Sequence, residues 1–169
     1  MAIQDYANRK YDYLALQNTA PRGDQLLALE LFNEQTSGKL CVGVQKLAQR
    51  WLLEFFTEVG SMPGAPTRGS SFLQAARTGG LRSQINVRGA FADASVEIQR
   101  NLQAEEYADM PTDERYGNAE LLTFTIVPET IKSVKTATSI VFLRLTVKIT
   151  SLAGDSREVI VPVETVPRS

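Results

Sequence analysis

The chain has 169 residues and contains no histidine and a single cysteine, Cys41. Without histidine there is no Ser-His-Asp or Cys-His nucleophile, no histidine-ligated zinc and no ordinary near-neutral general base. One cysteine cannot form a disulfide within the chain, which fits a reducing compartment. Catalysis would therefore depend on carboxylates, lysine, tyrosine or Cys41, and we expect a protein that is not an enzyme and needs no metal or cofactor.

The chain also lacks any strong excess of charge and any long apolar run. Its net charge is −1 and its pI is near 5.6, so no general attraction to nucleic acid or to an anionic membrane is expected. No apolar stretch approaches the ~20 residues of a membrane span. The start, "MAIQDYANRKYDYLAL", has no apolar signal-peptide core. We expect a soluble domain with neither nucleic-acid nor membrane partners.

Two helices are predicted by apolar residues that recur at helical spacing. The first runs along "VQKLAQRWLLEFFTEVG", with Gly60 as its left-handed stop. The second runs along "GAFADASVEIQRNLQAEEYADM", and a single helical turn is predicted between them at "SFLQAAR". The buried side chains predicted for the two main helices are Val44, Leu47, Ala48, Trp51, Leu52, Phe55, Phe56, Phe91, Ala94, Ile98, Leu102 and Tyr107.

The remaining pattern predicts strands. Leu27, Leu29 and Leu31 alternate in an N-terminal extension over residues 1–40. Three strands follow the helices, with a hairpin turn at Gly154 and with Pro162 marking an edge strand. The predicted fold is α+β, with two main helices packed on a small antiparallel sheet in a domain over 41–169.

The segment "GSMPGAPTRGSS" is rich in glycine and serine but does not predict a phosphate-binding loop. Such a loop ends in Gly-Lys-Ser/Thr between a strand and a helix, whereas a helix precedes this one and it holds no lysine. A shaped connection fits better. Its one arginine, Arg68, is either a contact for a neighbouring chain or a solvated loop residue.

Asp113, Glu114 and Arg115 place two carboxylates beside a guanidinium in a turn after the second helix. A glycosidase pair would face its substrate from separate elements at ~5 to ~9 Å, which adjacent residues do not naturally achieve. Two other interpretations remain open: charge-assisted bonds to a partner or to the chain's own backbone, and a solvated turn. Cys41 is expected to be a small buried hydrophobe.

The order of these features resembles the baseplate-wedge or sheath-initiator family of contractile phage tails, which is shared with the type VI secretion baseplate. The resemblance covers about 41–163 and has three parts. An amphipathic helix leads into a Thr-x-x-Gly turn and a small-residue step. A second helix leads into a Glu-Pro-Arg-like triplet, here Asp113-Glu114-Arg115, in which the proline is replaced. A closing sheet has a Leu-x-Gly hairpin. The remaining matching residues are Thr57, Gly60, Gly69, Ser70, Phe72, Tyr116, Leu152, Ala153 and Gly154.

The resemblance implies a structural virion protein of the tail baseplate, made in the host cytoplasm and present in about six copies. It implies that the sheet accepts sheath strands, along the edge near 121–127 or at 24–32, because Pro162 blunts the last strand. Other wedge proteins and the sheath protein are the implied partners, with tube or hub proteins as further candidates. Asp113, Glu114, Arg115 and Arg68 are the implied partner-binding residues. The alternatives are a neck or tail-completion protein, a peptidoglycan-cleaving enzyme using Glu114 or Glu97 with an aspartate, and a generic cytosolic binding domain unrelated to phage. The lysozyme label of some members finds no support in these residues.

Overall fold

The computed structural model describes residue 10 and residues 12–15, 40–132 and 137–165, and for 127–132, 137–141 and 165 it describes the backbone alone. Within these ranges the chain forms three helices, a two-stranded ribbon and a three-stranded antiparallel sheet. The predicted α+β fold is confirmed. The strand predicted around Leu27–Leu31 lies outside the described residues.

Helix α1 spans Gly43–Phe56 and presents the predicted apolar stripe to the core. The prediction that Gly60 ends this helix is wrong. The helix ends at Phe56 because Thr57 turns to extended backbone, with φ −88° and ψ 125°. Gly60 does take a positive φ of 83°, but it does so in the turn that follows.

Helix α2 spans Phe72–Arg77, as the predicted single turn suggested, and helix α3 spans Gln84–Ala104. Helix α3 begins five residues before the predicted start because Ser83 caps it, its hydroxyl accepting a hydrogen bond from the Asn86 amide at 3.2 Å. It also ends before the predicted limit, so Tyr107 lies in the turn beyond it.

The two β-structures are separate. Strands β1 (Asp12–Tyr13) and β2 (Leu40–Cys41) form a short antiparallel ribbon. Strands β3 (Tyr116–Lys132), β4 (Ala137–Ser151) and β5 (Ser156–Thr165) form a meander in the order β3-β4-β5. The predicted boundary between residues 40 and 41 falls inside β2, and the two-part division stays a prediction.

The sheet has the predicted hairpin and edge. Gly154 takes φ 90° in the β4–β5 turn, and Pro162 lies on edge strand β5 opposite Arg144. The buried face of the sheet consists of alternate residues of β4 and β5, which follows from the two-residue period of a strand. These residues are Leu143, Leu145, Val147, Ile149, Val159, Val161 and Val163.

The helices pack on that face and enclose one core. Its centre is an aromatic cluster in which the Phe55 ring lies 5.0 Å from Trp51 and 4.8 Å from Phe72, centroid to centroid. Phe91 of α3 completes it, 6.2 Å from Trp51. Burial of such large rings contributes most of the free energy that holds the helices to the sheet. No helix in the described part is long and apolar enough to cross a membrane.

Candidate functional site

The first polar site is the Glu114 clamp, which we define as Glu114, Lys46 and Gly43. Glu114 is 1% exposed. One carboxylate oxygen accepts a hydrogen bond from the Gly43 amide at 3.3 Å, and the other accepts one from Lys46 Nζ at 2.7 Å. Gly43 is the first residue of α1, and its N-cap residue, Val42, makes no side-chain cap. A carboxylate 71 residues along the chain therefore occupies the positive end of the helix dipole.

The turn that carries Glu114 also holds the exit of α3. The Arg115 guanidinium donates to the carbonyl oxygens of Tyr107 at 3.2 Å and Ala108 at 2.8 Å. Gly43 lies against the same turn: it takes φ 63°, and a Cβ on it would lie 2.9 Å from the Asp113 carboxylate. The turn thus fixes the start of one helix and the end of another.

The β4–β5 hairpin docks on this turn through its backbone. The Leu152 amide donates to the Arg115 carbonyl at 3.0 Å, and the Ala153 amide donates to the Thr112 carbonyl at 3.2 Å. Two of the segments that carry the family resemblance, the acidic-basic turn and the Leu-x-Gly hairpin, are therefore in direct contact.

These contacts correspond to one of the interpretations left open by the sequence, in which Glu114 and Arg115 bind the chain's own atoms. The prediction that Asp113, Glu114 and Arg115 bind a partner stays a prediction. Glu97, the other carboxylate considered for catalysis, accepts a hydrogen bond from the Ser71 amide at 2.7 Å and so fixes the start of α2.

The second polar site is the Glu54 clamp, which we define as Glu54, Gly69, Asn101 and Arg68. Glu54 is 3% exposed near the end of α1. One of its oxygens accepts from the Gly69 amide and from Asn101 Nδ2, both at 2.9 Å. The other pairs with the Arg68 guanidinium. Asn101 also donates to the Gly69 carbonyl at 3.2 Å, so one side-chain amide of α3 binds both α1 and the loop.

Arg68 belongs to an ion-pair chain within the protein. Its guanidinium pairs with Glu54 and with Glu105, and Glu105 also pairs with Arg50 at 2.5 Å. Burial lowers the pKa of Arg50 from its usual value. Arg68 is therefore held by ion pairs within the chain and is not simply a solvated loop residue. Its predicted docking on a neighbouring chain stays a prediction.

The loop backbone at Gly69 and Ser70 packs directly against the C-terminal end of α1. The Ser70 amide donates to the Thr57 carbonyl at 2.8 Å, and its buried hydroxyl donates to the Phe55 carbonyl at 3.0 Å. These bonds satisfy two carbonyls that the end of a helix leaves without partners. The Gly/Ser segment is thus a shaped connection, as the sequence favoured.

Cys41 is buried, and burial, assisted by the nearby charge of Asp12, raises the pKa of its thiol to about 11. Such a thiol is protonated near neutral pH and is a poor nucleophile. The structure therefore agrees with the interpretation of Cys41 as a small buried hydrophobe.

The third feature is the outer edge of β3. Within the described residues β3 pairs with β4 alone, so its other edge has no strand partner there. A shallow groove runs between this strand and α3 and is lined by Arg88, Phe91, Ala92, Ser95, Asn118, Ala119, Glu120 and Leu121. An unpaired edge beside a groove can accept an extended segment through main-chain hydrogen bonds.

Comparison of the chain with protein-family models, with curated proteins and with solved structures finds no match.

In the described ranges, no three acidic, thiol or imidazole side chains are grouped as metal ligands would be.

Sequence reasoning missed four buried polar side chains that carry the clamps and the adjoining contacts: Lys46, Gln49, Glu54 and Asn101. Each lies next to an apolar position of α1 or α3 and reads as the polar flank of an amphipathic helix. Their partners are distant in the chain, so helical spacing alone gives no signal for them.

The geometry at Gly69 predicts a large effect from one methyl group. Gly69→Ala should destabilise the protein by about 3 kcal/mol or more, since φ is 97° and a Cβ would lie 2.3 Å from the Thr57 carbonyl oxygen. Gly60→Ala is the matched control, because φ is 83° but nothing lies within 4 Å, and it should cost about 1 kcal/mol. Urea unfolding measures both; equal losses would contradict the close packing described.

Breaking the Glu114 clamp should be costly because it leaves Lys46 buried without its carboxylate. Glu114→Gln should lower the free energy of unfolding by about 3–5 kcal/mol. Adding Lys46→Met should recover part of that loss. The control is Glu58→Gln, which removes the exposed 2.6 Å pair with Arg77 and should cost under about 1 kcal/mol. A Glu114→Gln loss no larger than that of the control would show that the clamp contributes little.

Proposed function

We propose that this chain is a non-enzymatic structural protein of a contractile-tail baseplate. In this role it joins the wedge to the sheath and initiates sheath polymerisation by accepting strands on its sheet. The proposal rests on the ordered resemblance of its sequence to the sheath-initiator family. The observation that carries it is the open edge of β3 in a three-stranded antiparallel sheet.

The length and position of β3 support strand addition. A strand of 17 residues presents a long row of outward N–H and C=O groups, and such an edge promotes aggregation unless another strand or element covers it. The segment 121–127, one of the two that the resemblance implies, lies in the middle of this strand. The alternative at 24–32 lies outside the described residues.

The opposite edge is less suited to the same role. Strands β5 and β3 each carry one proline, Pro162 and Pro128, and neither proline has an N–H to donate to an added strand, but β5 has 10 residues against the 17 of β3. Helix α2 also packs against β5, whereas α3 packs against β3 and leaves the groove beside it. An incoming strand would therefore find more hydrogen-bonding groups along β3.

The two clamps support the proposal through rigidity. They hold α1 to the turn at 112–115 at one end and to the Gly/Ser loop and α3 at the other through buried hydrogen bonds, and the backbone of that turn binds the β4–β5 hairpin. A pre-organised sheet loses little conformational freedom when a strand is added, and this favours binding through the backbone alone.

The location of the chain in particles tests the function itself. In purified phage-like particles, a gold-labelled antibody to the chain should mark the distal end of the tail in electron microscopy. Label at the head–tail junction would replace the proposal with a neck role. Absence from particles, together with clearing of cell walls that Glu114→Gln abolishes, would replace it with an enzyme.

Paired proline variants test strand addition at β3. Neighbouring residues of a strand direct their N–H groups to opposite edges, so one of Thr125→Pro and Ile126→Pro removes an outward donor and the other a donor to β4. We expect the variant that loses an outward donor to keep its melting temperature and to block sheath assembly. The variant that loses a donor to β4 should unfold at a lower temperature. Thr125→Val and Ile126→Val keep the N–H and serve as controls. Normal sheath assembly by both folded proline variants would exclude this edge.

A further inference from the structure

Lys10 and residues 12–15 lie across α1 as an extended peptide lies in a binding site. We name residues 10–15 the arm; the structure describes residues 10 and 12–15. Asp12 and Tyr13 pair antiparallel with Cys41 and Leu40 of β2. The other side of the arm meets polar side chains of α1. The arm therefore contacts the body of the protein as a ligand contacts a receptor.

Gln49 is the centre of this site and is 3% exposed. Its carboxamide oxygen accepts from the Ala15 amide at 2.8 Å, and its Nε2 donates to the Tyr13 carbonyl at 2.8 Å and to the Asp12 carboxylate at 3.2 Å. One side-chain amide thus pairs with an N–H and a C=O of the peptide backbone. One helical turn before Gln49, Lys46 donates a hydrogen bond from Nζ to the Lys10 carbonyl. Most of the recognition is therefore of extended backbone.

The attachment is polar and shallow. Leu14 is the arm residue that packs against the core, while Tyr13 is 62% exposed. The Lys10 ammonium lies 4.1 Å from the centroid of the Tyr107 ring. The contacts of the arm are therefore mostly polar, and its release would remove the packing of Leu14 and uncover Gln49 and Lys46.

The connection between the arm and its site is long. Residues 16–39, which are 24 residues, separate Ala15 from Leu40. At about 3.3 Å per residue this length could span up to about 80 Å when extended. It does not restrict the arm to the site of its own chain, because a neighbouring copy offers the same Gln49, Lys46 and β2 edge within that reach.

We propose that the site formed by Gln49, Lys46 and β2 also binds the arm of a second copy, so that neighbouring copies exchange their arms. The contacts are the same in both arrangements, so the local concentration of sites decides between them. By its length alone, a connection of 24 residues gives its own arm an effective concentration on the order of millimolar, and copies present above that concentration favour exchange. This inference concerns the chain by itself and does not depend on the proposed function.

A disulfide trap can detect the exchange, because Asp12 lies opposite the chain's one cysteine. The donor chain carries Asp12→Cys with Cys41→Ser, and the acceptor is the wild-type chain. Mixed at about 1 mM under mild oxidation, they should form a reducible heterodimer linked between position 12 and Cys41, identified by peptide mapping. Asp12→Cys in the wild-type background should close the same bond within one chain, which calibrates the rate at this buried thiol.

Two variants provide the controls. A donor thiol at the exposed hairpin, Leu152→Cys with Cys41→Ser, gives the background for random collision. Gln49→Leu in the acceptor removes the amide that holds the arm and should reduce the heterodimer at least 10-fold, while circular dichroism reports whether that acceptor is folded. A heterodimer yield no higher than the Leu152→Cys background, with the intrachain bond formed, would overturn the exchange. Failure of the intrachain bond, when a small disulfide reagent does react with Cys41, would overturn the site itself.

Discussion

The fold depends on one buried carboxylate at the N-terminus of a core helix. Glu114 lies at the N-terminus of α1, where it accepts from the helix backbone and from Lys46. Burying a carboxylate costs several kcal/mol unless hydrogen bonds and an opposite charge compensate for it. Here a helix terminus and an ammonium both do so. Because the same turn binds the exit of α3 and the β4–β5 hairpin, this pairing places helix and sheet relative to each other.

The other end of α1 poses the opposite electrostatic problem. A carboxylate near a helix C-terminus is repelled by the dipole, so Glu54 would weaken the helix if it stood alone. Arg68, the Gly69 amide and Asn101 offset that repulsion, and their contacts with the Glu54 carboxylate hold the loop against α1. The loop then caps the carbonyls of Phe55 and Thr57. The helix is thus held at both ends by groups that other parts of the chain provide.

The sequence predicted the parts of the fold that depend on local periodicity. The stripe of α1, the alternation of β4 and the turn at Gly154 all follow from the spacing of apolar residues and from glycine's freedom at positive φ. The start of α3 was missed although Ser83 is an ordinary N-cap residue, because the apolar pattern that predicted the helix begins later, at Phe91. The clamps were missed for a deeper reason: Glu114 and Gly43 meet only after the whole chain has folded, and no local pattern encodes that contact.

The residues predicted to bind a partner also make contacts within this chain. Glu114 and Arg68 pair with charges of this chain and Arg115 binds its backbone, while binding of a partner by Asp113, Glu114, Arg115 and Arg68 stays a prediction. Other surfaces remain, and the β3 edge and the Gln49 site share a property. Both offer hydrogen-bonding groups to the backbone of an extended segment: main-chain groups at the β3 edge, and the β2 edge with the Gln49 amide and the Lys46 ammonium at the other site. Recognition of that kind depends on backbone geometry, so it suits a chain without histidine and selects a partner by the shape of its strand.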